Sequence, residues 1–349
     1  MPAQVALITP FAFPSVRGNA ITVERIARGL RASGVDLQLW DLSVVSEATV
    51  EEQVSEVRPI LVHAFHAFRV GPLALRLARR AEVPLLVTIT GTDANHDLFD
   101  PERAPIVRRV LEGASAVTVF HESMAARIIQ VLPDVAARLA VVPQSAFFEQ
   151  EAGEPAPPAS ARAAVGPRLL FPAGIRMVKN PRFPLQPLDA VAVRQPGLEL
   201  SYVGPILDPR EGEAFLAALR SRPWARYLGL KPHHQMRALI ADADVVLNCS
   251  LSEGGMANSV LEALALGRAV LASNIEGNRS LVEDGVTGLL FDTAEEFAAR
   301  AERLLGDPEL RRRLGEAGRD RINARFSPAR ELHGYLAMYA RLASALRHA

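Results

Sequence analysis

The sequence predicts an α/β protein made of two Rossmann-like domains, each built on a parallel sheet. Short, nearly continuous apolar runs, such as 60–64, 85–89 and 116–120, alternate with stretches of helical periodicity. Such runs are typical of parallel strands that are covered on both faces. The alternation restarts after a segment rich in Pro and Ala at 151–167, which we interpret as a linker or long surface loop. A length of 349 residues is also enough for about two domains.

The first half of the chain contains six predicted strands and five predicted helices. Runs of aliphatic and β-branched residues predict the strands, and apolar positions three or four residues apart predict the helices. The strands are at 5–9, 35–39, 60–64, 85–90, 116–120 and 139–142, and the helices are near 20–33, 48–57, 71–81, 102–112 and 122–131.

The second half repeats this alternation. Strands are predicted at 169–172, 199–203, 225–227, 245–249, 269–272 and 289–291, and helices near 181–193, 209–221, 233–242, 258–266, 276–283, 293–304 and 308–323. A last amphipathic helix is predicted from Ser327, since Ser followed by Pro is a good helix start. Its periodicity does not decide which domain it packs on.

Composition excludes several classes of protein. The 39 basic residues equal the 39 acidic ones, which argues against a nucleic-acid partner. The single cysteine, Cys249, excludes disulfides within the chain and fits a core position in a cytoplasmic protein. No apolar run reaches the roughly 20 residues of a membrane span, and no signal peptide is recognisable at the N-terminus. We therefore expect a cytoplasmic protein.

The segment 249–267 has the pattern of an anion site. The predicted strand 245–249 leads into a turn, Glu253-Gly254-Gly255, and a helix follows from about Asn258. Free backbone N–H groups and the positive end of the helix dipole meet at such a helix start. Glu253 on the loop and Glu262 in the helix are candidates to accept hydrogen bonds from sugar hydroxyls. A glycine turn alone would more often be only a turn.

A second segment, 171–180, reads FPAGIRMVKN and supplies cations after a strand. Arg176 and Lys179 could hold a leaving diphosphate, because Arg offers a bidentate fork and Lys a point charge. Without other motifs, the better interpretation of Arg176 and Lys179 would be two surface cations on a loop. Asp242 and Asp244 match a metal-binding DxD pattern, but they precede a strand, whereas such a site follows one. We therefore expect no metal site and no cofactor.

These segments together resemble the retaining glycosyltransferases of family 4, also called group 1, which have the GT-B fold. The similarity covers Glu253-Gly254, LEALALGRAV at 261–270 and EDGVTGLL at 283–290. It extends to LGLKPHHQM at 228–236, LVHAFH at 61–66 and TITGTD at 88–93. The form of 171–180 is nearest to the subgroup called glycosyltransferase 1 domain-containing proteins.

The resemblance implies two Rossmann-like domains that face each other across a cleft. It implies an N-terminal acceptor domain at 1–163 and a nucleotide-sugar donor domain at 164–326, with the helix 327–349 packing back on the first. The implied reaction moves a sugar from a nucleotide diphosphate sugar, with UDP as the expected nucleotide, to an unidentified acceptor.

The resemblance also implies a set of site residues. Arg176, Lys179 and Glu253 would be catalytic. Asn19, His66 and Asp93 would contact the acceptor or the sugar, although loop capping is an equally good explanation of Asp93. The donor would be bound by Gly18, Gly174, Leu230, Gly254, Gly255, Met256, Asn258, Ser259, Val260 and Glu262.

Two departures from the family pattern keep other functions open. Glu253 and Glu262 are one position further apart than usual, which places Gly255 as an insertion, and Thr90 stands where the family has His. The alternatives are a nucleotide-sugar epimerase or hydrolase, and a weakly catalytic protein that binds nucleotide sugars. The sequence does not identify the acceptor or the oligomeric state, and it leaves peripheral membrane contact open.

Overall fold

The structure is a computed structural model, and it describes residues 4–15, 17–148 and 166–346. Contacts divide the chain into two compact units. The first unit comprises Met1–Ser145 and Pro328–Ala349, and the second comprises Ala146–Ser327. The domain boundary expected at 163/164 and nearly all of the expected linker at 151–167 lie outside the described residues.

The first unit contains a parallel sheet with helices on both faces. Its strands are β1 (Val5–Thr9), β2 (Leu37–Asp41), β3 (Leu61–Phe65), β4 (Leu85–Thr88), β5 (Ala116–Val119) and β6 (Leu139–Val141). Its helices are α1 (Gly18–Ala32), α2 (Glu47–Val57), α3 (Gly71–Ala81), α4 (Ala104–Gly113), α5 (Glu122–Val131) and α13 (Pro328–Leu346). The strand order is β2-β1-β3-β4-β5-β6, and every pair is parallel.

The second unit contains another six-stranded parallel sheet. Its strands are β7 (Arg168–Pro172), β8 (Glu199–Val203), β9 (Ala225–Tyr227), β10 (Val245–Asn248), β11 (Ala269–Ser273) and β12 (Leu289–Phe291). Its helices are α6 (Leu185–Arg194), α7 (Pro209–Leu219), α8 (His233–Asp242), α9 (Asn258–Ala265), α10 (Glu276–Arg279), α11 (Ala294–Gly306) and α12 (Pro308–Arg325). The strand order is β12-β11-β10-β7-β8-β9.

Burial explains why the strands are apolar along their whole length. In the first unit one core lies between the sheet and the helices α2 to α5, and a second lies between the sheet and the pair α1 and α13. Consecutive side chains of a strand point to opposite faces, so a strand covered on both sides needs apolar residues at nearly every position. In the second unit, β7, β8, β10 and β11 contribute to a core with α6, α11 and α12.

The C-terminal helix α13 is held on the first unit by a buried polar contact. Arg25 of α1 donates to both carboxylate oxygens of Glu331, at 2.7 and 2.8 Å. Ser145 Oγ donates to the same carboxylate at 2.6 Å. Tyr335 and Tyr339 of α13 are buried against the sheet beside this contact. Helix α13 is thus held against α1 by a charged pair that is itself buried.

Several predicted boundaries were wrong by a few residues. β2 begins at Leu37, not at 35, because the Val35 N–H donates to Leu30 O and closes the last turn of α1. Helix α6 begins at Leu185, not at 181, and Pro184 is its N-cap. The helix predicted at 276–283 ends at Arg279. Within the described residues no helix is long and apolar enough to cross a membrane.

Candidate active site

The two loops at the switch point of the second sheet carry the candidate residues for binding the nucleotide sugar. β7 and β10 are neighbours in the sheet although two strands separate them in sequence, and the strand order reverses between them. Ligands of open α/β sheets bind outside the carboxyl ends of the strands at this point. Gly174, Arg176 and Lys179 follow β7, and the segment from Glu253 follows β10. The topology therefore places residues that are distant in sequence on adjacent loops.

Glu253 is at the centre of a hydrogen-bonded cluster. Its Oε1 accepts from Lys179 Nζ at 2.5 Å, from Ser250 Oγ at 2.7 Å and from Asn248 Nδ2 at 3.0 Å. The side chain is 9% exposed, and that of Lys179 is 17% exposed. Asn248 and Ser250 were not among the predicted residues. A polar residue at the carboxyl end of an otherwise apolar strand was the signal that could have identified Asn248.

The environment keeps Glu253 ionised. Burial by itself raises the pKa of its carboxyl, but the Lys179 ammonium and the hydrogen bonds from Lys179, Asn248 and Ser250 more than offset this, so the pKa lies below its usual value. The carboxylate and the ammonium therefore form a charged pair at neutral pH. An ammonium has three N–H donors, so this one contact leaves Lys179 with donors for a ligand oxygen.

Gly174 and Arg176 lie on the loop between β7 and a short 3₁₀ turn, Met177–Lys179. The Ile175 N–H donates to Pro205 O at 2.8 Å, which fastens this loop to the segment after β8. The Leu251 N–H donates to Val178 O at 2.9 Å and joins it to the loop after β10. Arg176 is exposed at this edge of the sheet.

The loop after β10 packs tightly against α10. A side chain at Gly277 would place its Cβ 2.4 Å from Gly255 O and 2.7 Å from Glu253 Cβ. Only glycine fits such an approach without moving the backbone of the loop. Gly255 and Met256 are buried. Gly255 is therefore packed into the loop, and Gly277 is a supporting residue of the candidate site that the sequence did not reveal.

Helix α9 starts at Asn258 with Ala257 as its N-cap. Among the described residues no side chain caps the helix, and its first turn contains no acidic residue. Asn258, Ser259 and Val260 are the first three residues of the helix. The first N–H groups of a helix have no partner inside the helix, and the dipole makes this end positive. This arrangement suits a negatively charged ligand.

Glu262, one turn further along α9, is paired with a histidine. His233 Nε2 lies 3.3 Å from Glu262 Oε1, and both side chains are almost buried. His233 is the first residue of α8, which confirms the expectation that it starts a helix. Its ring stacks on Phe147, with centroids 5.3 Å apart. Leu230, on the preceding loop, is 54% exposed. The contact between His233 and Glu262 was not predicted.

In the first unit, the predicted residues Gly18 and Asn19 are the first two residues of α1. In the part of the chain that the structure describes, no side chain caps this helix. The side-chain amide nitrogen and oxygen of Asn19 are both buried, and within the described residues neither has a hydrogen-bond partner. The start of α1 thus carries a buried amide whose two polar atoms have no partner among the described residues.

His66 lies directly after β3, at the switch point of the first sheet. Its φ angle is 93°, which is uncommon for a residue other than glycine. Nε2 is 2.9 Å from Thr92 Oγ1, and Nδ1 accepts from the Arg69 N–H at 3.3 Å. Burial lowers the pKa of His66, and nearby Arg69 lowers it further, although Asp93 and Asp97 oppose this.

Asp93 organises the loops around His66. The carboxylate is fully buried and accepts from the backbone N–H groups of Thr90, Gly91 and Ala67. It lies 3.8 Å from His66 Nδ1. Its geometry is that of a loop cap. Thr90, where the family has His, contributes its backbone N–H to this cap. A direct contact of Asp93 with sugar or acceptor stays a prediction.

The described residues contain no group of three or more His, Cys, Asp or Glu side chains that could hold a metal ion. The Arg168 side chain forms an ion pair with Asp242, and the Arg168 N–H donates to the carboxylate of Asp244. Arg168 is the first residue of β7, so both aspartates lie at the amino end of the sheet. Cys249 is buried, as expected of a core residue, and burial raises the pKa of its thiol well above the usual value.

Comparison with known proteins agrees with the two-unit organisation. The family model described as "Glycosyl transferases group 1" matches residues 166–307, and the one described as "Glycosyl transferase 4-like domain" matches residues 9–144. The chain is 28% identical over 318 residues to glycosyltransferase 1 domain-containing protein 1 of Xenopus tropicalis, covering 89% of this chain and 90% of that protein.

Solved structures show the same fold. Sucrose-phosphate synthase of Thermosynechococcus elongatus superimposes with a TM-score of 0.77 at 19% identity, over 98% of this chain and 100% of that chain. Anabaena HepE, determined in complex with UDP, gives a TM-score of 0.77 at 16% identity, over 97% and 100% of the two chains. The predicted fold class and family are thereby confirmed. The chain belongs to the group 1 glycosyltransferases, enzymes of the GT-B fold.

Proposed function

We propose that the chain transfers a glycosyl group from a UDP-sugar to an acceptor, with retention of the anomeric configuration. The observation that carries this proposal is the Lys179–Glu253 pair, which lies on the loops flanking the switch point together with the start of α9. A protein of the same fold, HepE, has been determined with UDP and with UDP-glucose, which supports UDP as the nucleotide.

In this proposal, the cations of the second unit stabilise the departing diphosphate. Negative charge develops on the phosphate oxygens as the bond to the sugar breaks, and fixed donors aimed at that charge lower the barrier. We assign this task to Arg176, Lys179 and the N–H groups of Asn258 and Ser259. Together they would supply the charge that a metal ion supplies elsewhere, so we propose that transfer needs no metal.

The two glutamates are assigned different tasks. Glu253, held ionised by Lys179, would place negative charge near the sugar, where positive charge grows at the anomeric carbon. Glu262 would accept hydrogen bonds from the ribose hydroxyls, and His233 would orient its carboxylate. Retention would follow from attack on the same face of the sugar, assisted by the leaving phosphate. In the first unit, Asn19 and His66 would meet the sugar or acceptor.

The role of Arg176 can be tested by substitution. We expect Arg176→Ala to lower the rate of donor consumption by about 100-fold or more, as is usual when one stabilising donor of a transition state is removed. Arg220→Ala is the matched control, because Arg220 is an exposed arginine of the same unit at the end of α7. The measurement is release of UDP from UDP-sugars with a panel of acceptors.

Equal rates for Arg176→Ala and the wild-type chain would contradict the assignment of the diphosphate site. Formation of free sugar or of an isomeric UDP-sugar without any acceptor would instead identify a hydrolase or an epimerase.

A further inference from the structure

A cavity of about 270 Å³ lies at the opposite end of the second sheet from the candidate active site. Asp244, immediately before β10, and Ala269, the first residue of β11, both line it, so it is at the amino ends of the strands. The turn that ends α9 and the helix α12 form the rest of the wall. The charged residues that line it are Asp244, Arg268, Arg311, Arg312, Glu316 and Arg319.

The positive charge of this cavity is only partly neutralised. Arg312 is paired with Glu309 at 2.5 Å and with Glu316 at 2.7 Å, and Arg311 lies 3.7 Å from Asp244. Arg268 and Arg319 have no carboxylate within 4.0 Å among the described residues. The four lining guanidinium groups thus face two lining carboxylates and the neighbouring Glu309, which leaves an excess of about one positive charge.

Two of the guanidinium groups are held in place by backbone carbonyls. Arg268 donates to Leu266 O and Ala241 O, both at 3.3 Å. Arg311 donates to Leu304 O at 2.7 Å and to Leu305 O at 3.1 Å. Because a guanidinium has five N–H donors in a rigid plane, these contacts fix its orientation without using all its donors. Such preorganised forks suit phosphate oxygens.

The helix packing brings the cations together. A Cβ at Gly315 of α12 would lie 2.1 Å from Gly267 O, so α12 contacts the end of α9 through backbone. Arg319 follows Gly315 by one helical turn, and Arg268 follows Gly267 directly. Only glycine at 315 permits this approach.

The helix dipoles do not decide the sign of the ligand. Pro308 places the positive start of α12 at the cavity, and Leu266 places the negative end of α9 there. Each effect is worth roughly 0.3–1 kcal/mol, and the two oppose each other. The guanidinium groups therefore determine that the cavity attracts anions.

We propose that this cavity binds a small phosphate-bearing anion. A phosphate group carries about 1.5 to 2 negative charges at pH 7 and presents three strong acceptor oxygens to the guanidinium N–H donors, more than a carboxylate presents. The volume is below the roughly 300–1,000 Å³ of pockets for larger ligands, so the ligand is smaller than a nucleotide. The proposal does not depend on the transfer reaction, because the cavity shares no residue with the candidate active site.

The experiment is residue-specific chemical modification of the full chain. Phenylglyoxal reacts with arginine, and peptide mass spectrometry reports the rate at each position. With inorganic phosphate at about ten times its dissociation constant, we expect modification of Arg268 and Arg319 to slow by about tenfold. Arg313, exposed on α12 and outside the cavity, is the internal control and should react unchanged. Sodium chloride at equal ionic strength controls for screening.

A variant gives the second measurement. The double substitution Arg268→Gln and Arg319→Gln should weaken phosphate binding by at least about tenfold, while Arg313→Gln should bind as the wild type does. Any phosphate that binds at the candidate active site should bind there equally in the wild-type chain and in both variants, so it does not affect the comparison. Unchanged modification rates of Arg268 and Arg319 with phosphate, or unchanged binding by the double variant, would overturn the proposal.

Discussion

At the residue scale, the candidate active site depends on a few charged side chains whose partners fix their protonation state. Glu253 is ionised because Lys179, Asn248 and Ser250 all contact one of its oxygens. The sequence indicated Glu253 and Lys179 through their positions in two separate segments. It could not indicate that they pair, because their contact depends on β7 and β10 being neighbours, which is a property of the sheet order.

Glu262 provides a prediction on nucleotide affinity. Glu262→Gln keeps the shape of the side chain but removes its charge, and hydrogen bonds to charged groups contribute about 1.5–3 kcal/mol. We therefore expect UDP to bind at least about tenfold more weakly, measured by isothermal titration calorimetry. Gln235→Ala, on the exposed side of α8 in the same unit, is the control and should leave the affinity unchanged. Wild-type affinity in the Glu262 variant would exclude a ribose contact.

His63 provides a prediction on pH. It is fully buried, with Nδ1 2.7 Å from Tyr339 Oη and Nε2 2.7 Å from Thr88 Oγ1, as expected for a satisfied core histidine. Burial lowers its pKa from 6.5 to about 3. Between these values the unfolded chain binds a proton that the folded chain does not, so stability falls as the pH decreases from 6.5 towards 3.

The contribution of His63 to this loss is at most about 1.4 kcal/mol per pH unit. The direct measurement is NMR titration of the imidazole rings. We expect the ring of His63 to remain neutral from pH 7 to pH 5. A titration of His63 near pH 6.5 would contradict this account.

At the scale of elements, periodicity predicted all twelve described strands, whereas boundaries required tertiary information. Helix α1 ends at Ala32, but the Val35 N–H still bonds back to Leu30 O in the turn that follows, which moves the start of β2. The π-helical turn Asp93–Asp97 was not predicted, because it follows from the buried carboxylate of Asp93 and not from apolar spacing. Short irregular segments of this kind position site residues, and they carry almost no signal in the sequence.

Helix α13 provides a prediction on stability. Glu331→Gln removes the charge that Arg25 needs, and leaving one member of a buried ion pair unpaired costs about 3–5 kcal/mol. We expect the free energy of unfolding, measured with denaturant, to fall by that amount. The control is Glu24→Gln, which breaks the exposed pair with Arg28 and should cost less than about 1 kcal/mol.

A second variant separates charge from packing. Replacing both members, with Arg25→Met and Glu331→Leu, removes the unpaired charge and should recover much of the loss. A loss equal in Glu331→Gln and Glu24→Gln would show that the buried pair does not hold α13.

At the scale of the whole molecule, repeated β/α alternation was enough to predict two Rossmann-like units, since few other folds satisfy it. The packing position of the C-terminal helix could not be predicted from periodicity. Its apolar stripe predicted a helix, but the sheet on which it packs depends on Arg25 and Ser145, which are far away in sequence. Specificity for a sugar donor is also a property of the assembled loops. The sequence therefore indicates candidate residues for the diphosphate but not the base that the site selects.

The most direct test of the proposed function is a thermal-unfolding panel with UDP, GDP and ADP. A ligand at 100 times its dissociation constant stabilises the folded chain by about 2.7 kcal/mol, which raises the Tm by several degrees. We predict that UDP raises the Tm of the wild-type chain and that Glu262→Gln reduces this shift. A shift with GDP or ADP but none with UDP, or no shift with any of the three, would contradict the proposed UDP-sugar specificity.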